Sequence, residues 1–506
     1  MHLRCRAAAP RYGHQKILAG ASPPIPTATR CSATQAVMRP DPMSVSPAES
    51  GSLLGAARPA ARPEELPRRL SLVSTIAVMV GLIVGSGVFR APSIVAEAAG
   101  SVGAITLVWV LGGLVTLCLA LCVAELSTMF PLAGGAFVYL RESLGPAPAF
   151  AYGWTYLVVI TPSAWATIAM VFAEYSGAFV TLNPTGTRIV ATVAIVFVTV
   201  VNVVSVRLSA AIQNVATSAK MLALAAIIGV LFSFGDATHG AFAKLGSGQA
   251  VALSGFVVGL VTALWAYDGV VPAASVFGEV RDPARTLPRA LVAGVLAVTV
   301  IYLGMNAALL YVMPVNAVAA SKLVAADAMR AIAGQTGVSI VAAAVMLTTF
   351  GALASTALCD PRVVFATAHD GLFFRVIARV HPRFETPHVA VLLCGVLAIV
   401  WVWARSLEQL AAQFVLGLWP FYALMVVGLL RLRAMRPDAD RPYRVPLYPW
   451  VPLACVAGSV VLLGGSFIEL PNVSAINVSI IALAFPIYFA WRAMSARGGH
   501  GLRPRL

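Results

Sequence analysis

The chain has 506 residues, of which 59% are hydrophobic and 11% are charged, with a mean hydropathy of +0.87 and a formal net charge of +15. A soluble domain is about 45–50% apolar and about 25% charged, so this composition excludes an ordinary soluble fold. The basic residues lie in loops between apolar runs, where they orient membrane helices, and we do not interpret them as a nucleic-acid site.

Residues 1–66 differ in composition from the rest of the chain, because they are rich in Ala, Pro, Ser and Arg and contain no acid before Asp41. Such a segment resembles a transit peptide, although it has no apolar core suited to a secretory signal. A disordered cytoplasmic tail is the simpler interpretation, and an upstream start codon with the true start at Met43 is an alternative. Residues 493–506 are interpreted as a second cytoplasmic tail.

About a dozen apolar runs follow, and each is close to the roughly 20 residues that a helix needs to cross a bilayer. The runs cover about 71–98, 103–126, 147–175, 187–205, 210–234, 250–276, 289–312, 336–367, 387–404, 409–432, 448–469 and 474–492. Arg and Lys are concentrated in the loops of one side, which places both termini in the cytoplasm by the positive-inside bias. The sequence therefore predicts an all-α polytopic membrane protein with about 12 transmembrane helices.

Two of these runs are interrupted by glycine and proline, and they lie five runs apart. Gly85 and Gly87 interrupt the first run, and Gly269 interrupts the sixth. Interrupted helices at corresponding positions of two halves indicate the binding site of a transporter with inverted repeats. We therefore predict two five-helix repeats of opposite orientation, 67–234 and 250–432, followed by two additional helices within 448–492.

The first interruption, Gly85-Ser86-Gly87, favours an anion site. Each glycine weakens a helix by about 1 kcal/mol relative to alanine, so the backbone is expected to unwind here. Unwinding frees N–H groups at the positive end of the following half-helix, and these groups bind a carboxylate. The alternative is close helix packing, because Gly81 and Gly85 form a small-residue contact pattern.

The second interruption runs from Trp265 through Tyr267 to Asp268 and Gly269. A break at this point frees backbone carbonyls, which suit an ammonium group, and Trp265 has the size to cover such a site. Asp268 is an ionisable residue near the middle of the membrane, and residues of this kind are usually functional. The alternative is a kinked helix in which Asp268 pairs with a neighbour and has a structural role.

Lys220 lies within the fifth run and has three interpretations. It could relay a proton together with Asp268, stand where another transporter binds sodium, or form a fixed structural charge paired with carbonyls. Glu125 and Glu174 are at the ends of their runs, where we expect them to reach water.

The seven cysteines show no metal-ligand spacing, so we expect no metal, no cofactor and no disulfide. Cys118 and Cys122 are four residues apart on one predicted helix, where we interpret them as small packing residues.

Six stretches in order resemble the amino acid–polyamine–organocation (APC) superfamily of permeases and, within it, the prokaryotic relatives of the L-type amino acid transporters. They are residues 85–92 (GSGVFRAP), 124–142 (AELSTMFPLAGGAFVYLRE), 213–220 (QNVATSAK), 263–269 (ALWAYDG) with 278–283 (GEVRDP) and 287–290 (LPRA), 369–371 (HDG) with 380–387 (VHPRFETP), and 441–449 (RPYRVPLYP). The resemblance implies a LeuT-like fold of two inverted five-helix repeats plus two helices.

The resemblance also implies roles for individual residues. It places the carboxylate of an amino acid on the backbone of Ser86 and Gly87, and the α-ammonium group on carbonyls of Ile83, Trp265 and Asp268. Trp265 matches an aromatic gate, and Lys220 matches a lysine common on the fifth helix of the family. Together with the residues of the two breaks, this gives an expected substrate site of Ile83, Gly85, Ser86, Gly87, Trp265, Tyr267, Asp268 and Gly269.

The stretch Val270–Ser275 departs from the pattern of the L-type relatives, which puts their side-chain pocket in question here. No cysteine is evident where the animal relatives attach a partner chain, so we expect no heavy subunit and a monomer or homo-oligomer.

The resulting expectation is a permease of the cytoplasmic membrane that moves amino acids by alternating access, through proton symport or amino acid exchange. One alternative is a polyamine or cationic amino acid transporter, in which Asp268 meets the extra positive charge. A more remote alternative is a membrane-embedded sensor or enzyme, because His369, His381 and His388 lie near one loop, although without metal-ligand spacing.

Overall fold

The computed structural model describes residues 71–130, 135–204, 206–236, 253–274, 277, 280–369, 371, 373–374, 376–384 and 386–497. The predicted tail at 1–66 and the residues after 497 lie outside this part of the chain. Side chains are not described for residues 206–218 of the fifth run.

Helices make up most of the described residues. The first half contains α1 (Leu72–Ile83), α2 (Gly87–Ala99), α3 (Val102–Met129), α4 (Ala136–Leu144), α5 (Pro146–Thr155), a π-helix (Tyr156–Ile160), α6 (Thr161–Ser176), α7 (Pro184–Val204) and α8 (Val206–Phe234). The second half contains α9 (Leu253–Tyr267), α10 (Val270–Ala273), α11 (Pro283–Val312), α12 (Val315–Ala320), α13 (Val324–His369), α14 (His388–Ala404) and α15 (Leu407–Met435). Two more helices follow, α16 (Trp450–Glu469) and α17 (Pro471–Arg497).

The membrane-crossing helices agree with the predicted runs. Within the described ranges, 9 helices are long and apolar enough to cross a membrane, and the pair α1 and α2, bent by 50°, makes up to 10. Two shorter apolar helices, Ala219–Phe234 and His388–Ala404, coincide with the fifth and ninth runs. The prediction of an all-α polytopic membrane protein is confirmed, and the total of about 12 remains a prediction.

Helix α13 is longer than the eighth predicted run, because it contains a bend. Ala333 and Gly334 have non-helical backbone angles, with φ of +56° at Gly334. The part of α13 after this bend corresponds to the predicted run at 336–367.

The two predicted interruptions are breaks in the structure. Helix α1 ends at Ile83, and α2 begins at Gly87. Helix α9 ends at Tyr267, and α10 begins after Gly269, whose φ of 143° is one that residues with a side chain rarely adopt. The second break is therefore specified by the glycine itself.

Three aromatic rings from α3, α9 and α11 support the second break. The ring centroids of Trp109, Tyr267 and Tyr302 are 5.0–5.9 Å apart. The hydroxyl of Tyr267 donates to the carbonyl of Trp109 over 3.0 Å. Tyr267, expected in the substrate site, is 1% exposed, and its side chain packs in this cluster while its backbone borders the break.

Candidate functional site

The two breaks touch each other through their backbones. A Cβ atom added to Gly87 would lie 2.7 Å from the Cα of Ala266, which is closer than real Cβ contacts. A Cβ atom added to Gly269 would lie 2.9 Å from the Cα of Ile83. One glycine from each break therefore permits the approach. This contact is distinct from the packing pattern of Gly81 and Gly85, since a Cβ atom added to Gly85 would meet only the carbonyl oxygen of Ile83, at 3.9 Å.

The first break leaves several N–H groups without a backbone acceptor. The last hydrogen bond of α1 runs from the N–H of Val84 to the carbonyl of Val80 over 2.9 Å. Within the described part of the chain, no backbone hydrogen bond is donated by residues 85–88. These N–H groups stand at the N-terminus of α2, whose dipole is positive there, so an anion is the ligand that they attract.

Tyr302 lies between the carbonyls of the two breaks. Its hydroxyl oxygen is 2.7 Å from the carbonyl oxygen of Ala266 and 3.1 Å from that of Ile83. A phenol has one proton to donate, so it serves one of the two carbonyls at a time. The carbonyl of Ile83, at the longer distance, can therefore accept a further donor.

Trp265 and Asp268 face this region in different ways. Among the described residues, the carbonyl of Trp265 accepts only a long bond of 3.4 Å from the N–H of Asp268, and Trp265 is 8% exposed. The carboxylate of Asp268 accepts from the hydroxyl of Tyr422 on α15 over 2.9 Å. No basic side chain among the described residues lies within ion-pair distance of Asp268.

Lys220 pairs with a carbonyl that the first break has freed. Its Nζ donates to the carbonyl oxygen of Gly81. In a continuous helix that carbonyl would accept from the N–H of Gly85, four residues later. Lys220 is 6% exposed. The contact is compatible with a charge paired with a carbonyl, and the roles of proton relay and sodium replacement remain predictions.

Two networks of arginine and carboxylate lie at opposite ends of α15. At its N-terminal end, Arg90 of α2 donates to Glu174 and to Glu408, each over 3.0 Å. At its C-terminal end, Glu125 accepts from Arg433 and from the N–H of Val445, the latter over 2.7 Å.

The expectation that Glu125 and Glu174 reach water is wrong for Glu125, and only a small part of Glu174 is accessible to water. The side chain of Glu125 is 0% exposed and that of Glu174 is 13% exposed. The arginines explain the difference, since a carboxylate is retained in a protein interior when charge-assisted hydrogen bonds replace its water.

Asp360 was not among the predicted site residues, and it lies on α13 inside the predicted run 336–367. Its Oδ1 is 3.0 Å from the hydroxyl of Tyr156, and its Oδ2 accepts from the indole N–H of Trp165 over 3.2 Å. The sequence did contain an indication of this residue, because an ionisable residue inside an apolar run is a candidate functional residue by default. Within the described ranges, no three His, Cys, Asp or Glu side chains converge in a way that would hold a metal ion.

Known proteins are similar to this chain over almost all of its predicted membrane-spanning region. The family model described as amino acid permease matches residues 70–491. The b(0,+)-type amino acid transporter 1 of Mus musculus is 33% identical over 413 residues, covering 80% of this chain and 84% of that protein. The Asc-type amino acid transporter 1 of Homo sapiens is 32% identical over 443 residues, covering 85% and 83%. The serine/threonine exchanger SteT of Bacillus subtilis is 27% identical over 434 residues, covering 85% and 98%.

Proposed function

The chain belongs to the amino acid permease family, and from this membership we propose that its two helix breaks together bind the zwitterionic end of an amino acid. The protein is a multi-pass membrane permease for amino acids. The observation that carries the proposal is the backbone contact between the breaks, with Gly87 against Ala266 and Gly269 against Ile83. This contact brings unpaired N–H groups and freed carbonyls into one region.

The α-carboxylate binds at the first break. The N–H groups of Ser86 and Gly87 have no backbone acceptor among the described residues, and they stand at the positive end of α2. A carboxylate supplies two oxygens to such donors, and no charged side chain is needed.

The α-ammonium group binds at the carbonyls of Ile83, Trp265 and Asp268. An ammonium group has three N–H donors and no acceptor, so it suits a set of carbonyl oxygens. Tyr302 supplies one proton to the two carbonyls of Ile83 and Ala266, and the carbonyl of Trp265 has only a long bond. The ammonium group supplies the donors that are missing.

The substrate side chain is proposed to be small and neutral. Past the second break the chain continues with Val270, Val271, Pro272, Ala273 and Ala274, which offer no charge, and four of the five are buried. Trp265 is proposed to cover the site as an aromatic gate. The relatives are named as amino acid transporters, so a polyamine substrate is not favoured.

Transport is proposed to proceed by alternating access. The Arg90 network ties α2 to α6 and α15 at one end, and the Glu125 network ties α3 to α15 and the following loop at the other. Opening of either side requires that its network separate. By the positive-inside bias, the Glu125 end is cytoplasmic, both termini are cytoplasmic, and the membrane is the cytoplasmic membrane. The chain is proposed to work without a heavy subunit.

Counterflow in proteoliposomes tests this function. The purified protein is reconstituted with unlabelled amino acid inside, and uptake of labelled L-serine, L-threonine, L-leucine and L-arginine is measured. We expect exchange of at least one neutral amino acid. We also expect that its methyl ester and its N-acetyl derivative fail to compete, because each lacks one charge of the zwitterion. Equal competition by both derivatives would contradict the assignment of the two breaks.

A further inference from the structure

Asp360 is a partly buried acid that, like Asp268, has no basic partner among the described residues. Glu125 and Glu174 are paired with arginines. For Asp360, no lysine, arginine or histidine of the described residues lies within ion-pair distance. Its partners are two neutral groups, the hydroxyl of Tyr156 and the indole N–H of Trp165. An isolated negative charge inside a membrane is costly, so this carboxyl is better accommodated in neutral form.

The hydrogen bonds around Asp360 can form with or without a proton on its carboxyl group. The indole of Trp165 is only a donor, so Oδ2 must be an acceptor. In the ionised form the hydroxyl of Tyr156 donates to Oδ1 over 3.0 Å, and with the proton on Oδ1 the acid donates to that hydroxyl oxygen instead. Each carboxyl oxygen has one partner in either form, and only the protonated form places no negative charge in the membrane.

The charged and titratable groups around Asp360 come from several elements. Tyr156 of the π-helix is hydrogen-bonded to it, and Tyr152 of α5, Cys394 of α14 and Asp268 of the second break lie within electrostatic range of it. On α13 itself, Cys359 and the exposed Arg362 are its neighbours in sequence. Lys220 of α8 is directed to Gly81. Two carboxyls without basic partners resist carrying two negative charges at once.

The π-helix that contributes Tyr156 is a further feature of the surroundings of Asp360. Short π-helical segments are rare and often occur at functional sites. This one begins with Tyr156, and it is followed by two fully buried hydroxyls, those of Thr161 and Ser163, that have no partner among the described residues. Gln413 on α15 is also 0% exposed, and both of its amide atoms lack a partner.

Helix α15 packs directly on the π-helix, since a Cβ atom added to Gly417 would lie 3.0 Å from the side chain of Val159. Gln413 is one helical turn before Gly417. Buried polar groups of this kind bind water in protein interiors, and water is the carrier that takes a proton from a buried acid.

The tyrosines connect Asp360 to the proposed substrate site. The rings of Tyr152 and Tyr156 are 5.4 Å apart, and Tyr152 lies within electrostatic range of both Asp360 and Asp268. Tyr422 donates to Asp268 and is itself within electrostatic range of Tyr152 and Tyr156. A change of charge at Asp360 therefore reaches the break that is proposed to hold the ammonium group.

We propose that Asp360, held by Tyr156 and Trp165, is the binding site for a proton that is carried with the amino acid. The carboxyl takes one proton from water on one side of the membrane, keeps it while the substrate site changes its opening, and returns it to water on the other side. No covalent bond other than the O–H bond forms or breaks. This inference rests on the proposed function, and it adds the ion that is coupled to transport.

The test uses the full chain in proteoliposomes. The probe is whichever of L-serine, L-threonine, L-leucine and L-arginine the wild type exchanges fastest. Counterflow without a pH gradient reports the substrate site alone, and accumulation driven by an acidic exterior reports proton coupling. Wild type is expected to accumulate the probe several-fold in the gradient. Asp360→Asn, which resembles the protonated acid, is expected to keep at least half of the counterflow and to lose the accumulation.

Asp327→Asn is the matched control. Asp327 is also an aspartate of α13, but it pairs with Arg330 and accepts from Ser321 at the start of the helix. It should retain both activities. Tyr156→Phe is the second variant, and it should keep counterflow while the dependence of accumulation on external pH shifts, an effect that a purely structural tyrosine would not produce.

Accumulation by Asp360→Asn at the wild-type level would overturn the proposal. So would a wild type that shows counterflow but no response to the gradient, an outcome that leaves the amino acid site intact. Loss of arginine counterflow alone, with accumulation of the probe unchanged, would assign Asp360 to a cationic side chain instead. If Asp360→Asn loses counterflow as well, the result for Tyr156→Phe decides. An unchanged dependence of its accumulation on external pH overturns the proposal, and a shifted dependence supports it.

Discussion

Lys220 of α8 donates a hydrogen bond from its Nζ to the backbone carbonyl of Gly81 in α1. The carbonyl of Gly81 is available because the helix stops at Ile83, so the N–H of Gly85 does not reach it. The lysine thus takes the place of a lost helical hydrogen bond and brings a positive charge to the first break. A helix break and a buried cation on another helix stabilise each other.

Replacement of this lysine should impair transport. Lys220→Met keeps most of the side-chain volume but removes the donor, which leaves a buried carbonyl unpaired at a cost of about 1–3 kcal/mol. We expect counterflow to fall about tenfold or more, since 1.4 kcal/mol corresponds to a factor of ten. Lys322→Met is the control, because Lys322 is exposed. Normal counterflow by Lys220→Met would show that the lysine does not support the break.

The close approach of the two breaks predicts strong sensitivity at Gly87. Gly87→Ala places a Cβ atom 2.7 Å from the Cα of Ala266, and overpacking of this kind costs about 1–3 kcal/mol. We expect counterflow to be lost while the protein is still found in the membrane fraction. Gly304→Ala in α11 is the control, because its Cβ atom meets nothing within 4 Å.

Gly85→Ala tests whether the loss at Gly87 comes from a steric contact or from reduced backbone flexibility within the same break. Its Cβ atom would meet only the carbonyl oxygen of Ile83, at 3.9 Å. We expect a milder loss of counterflow than for Gly87→Ala. Equal losses in the two variants would mean that contact with Ala266 is not the cause.

The hydroxyl of Tyr302 should support both transport and stability. Tyr302→Phe leaves the carbonyls of Ala266 and Ile83 without this donor, which costs about 1 kcal/mol or more. We expect the rate of counterflow to fall about five- to tenfold and the melting temperature in detergent to fall by a few degrees. Tyr311→Phe, on the same helix, is the control, since Tyr311 packs by its ring against Phe232. Equal effects of the two changes would argue against a role for the Tyr302 hydroxyl.

The buried ion pairs should contribute far more to stability than the exposed one. Glu174→Ala removes one of the two carboxylates that pair with the buried guanidinium of Arg90, and Glu408 remains as its partner. Leaving a buried charge without any partner costs about 3–5 kcal/mol, so the loss should be smaller than this. We expect a clearly lower melting temperature in detergent. Asp327→Ala removes the partner of Arg330, which is 58% exposed, and should change stability by about 1 kcal/mol or less. A double variant of Arg90 and Glu174 should recover part of the loss, and its failure to do so would argue against direct pairing.

Much of the fold was predictable from local patterns. The apolar runs gave the helices to within a few residues at most ends, and Gly85, Gly87 and Gly269 gave both breaks, because glycine acts on the backbone that immediately surrounds it. Asp360 could also have been predicted as a site residue, because it is an ionisable residue inside an apolar run. The contacts of Lys220, Tyr302 and Asp360 were not predictable, because each joins residues more than 30 positions apart.

The sequence by itself determined that the chain is a helical membrane protein, where its helices run and where two of them break, since hydropathy and glycine content are local properties. Only the tertiary structure decided that the two breaks touch, that Lys220 caps a freed carbonyl, and that arginines pair with Glu125 and Glu174. The physical reason is that the state of a buried charge depends on its partner. Glu125 pairs with Arg433 and Glu174 pairs with Arg90, while Asp360 has only neutral donors among the described residues. All of these partners come from distant helices.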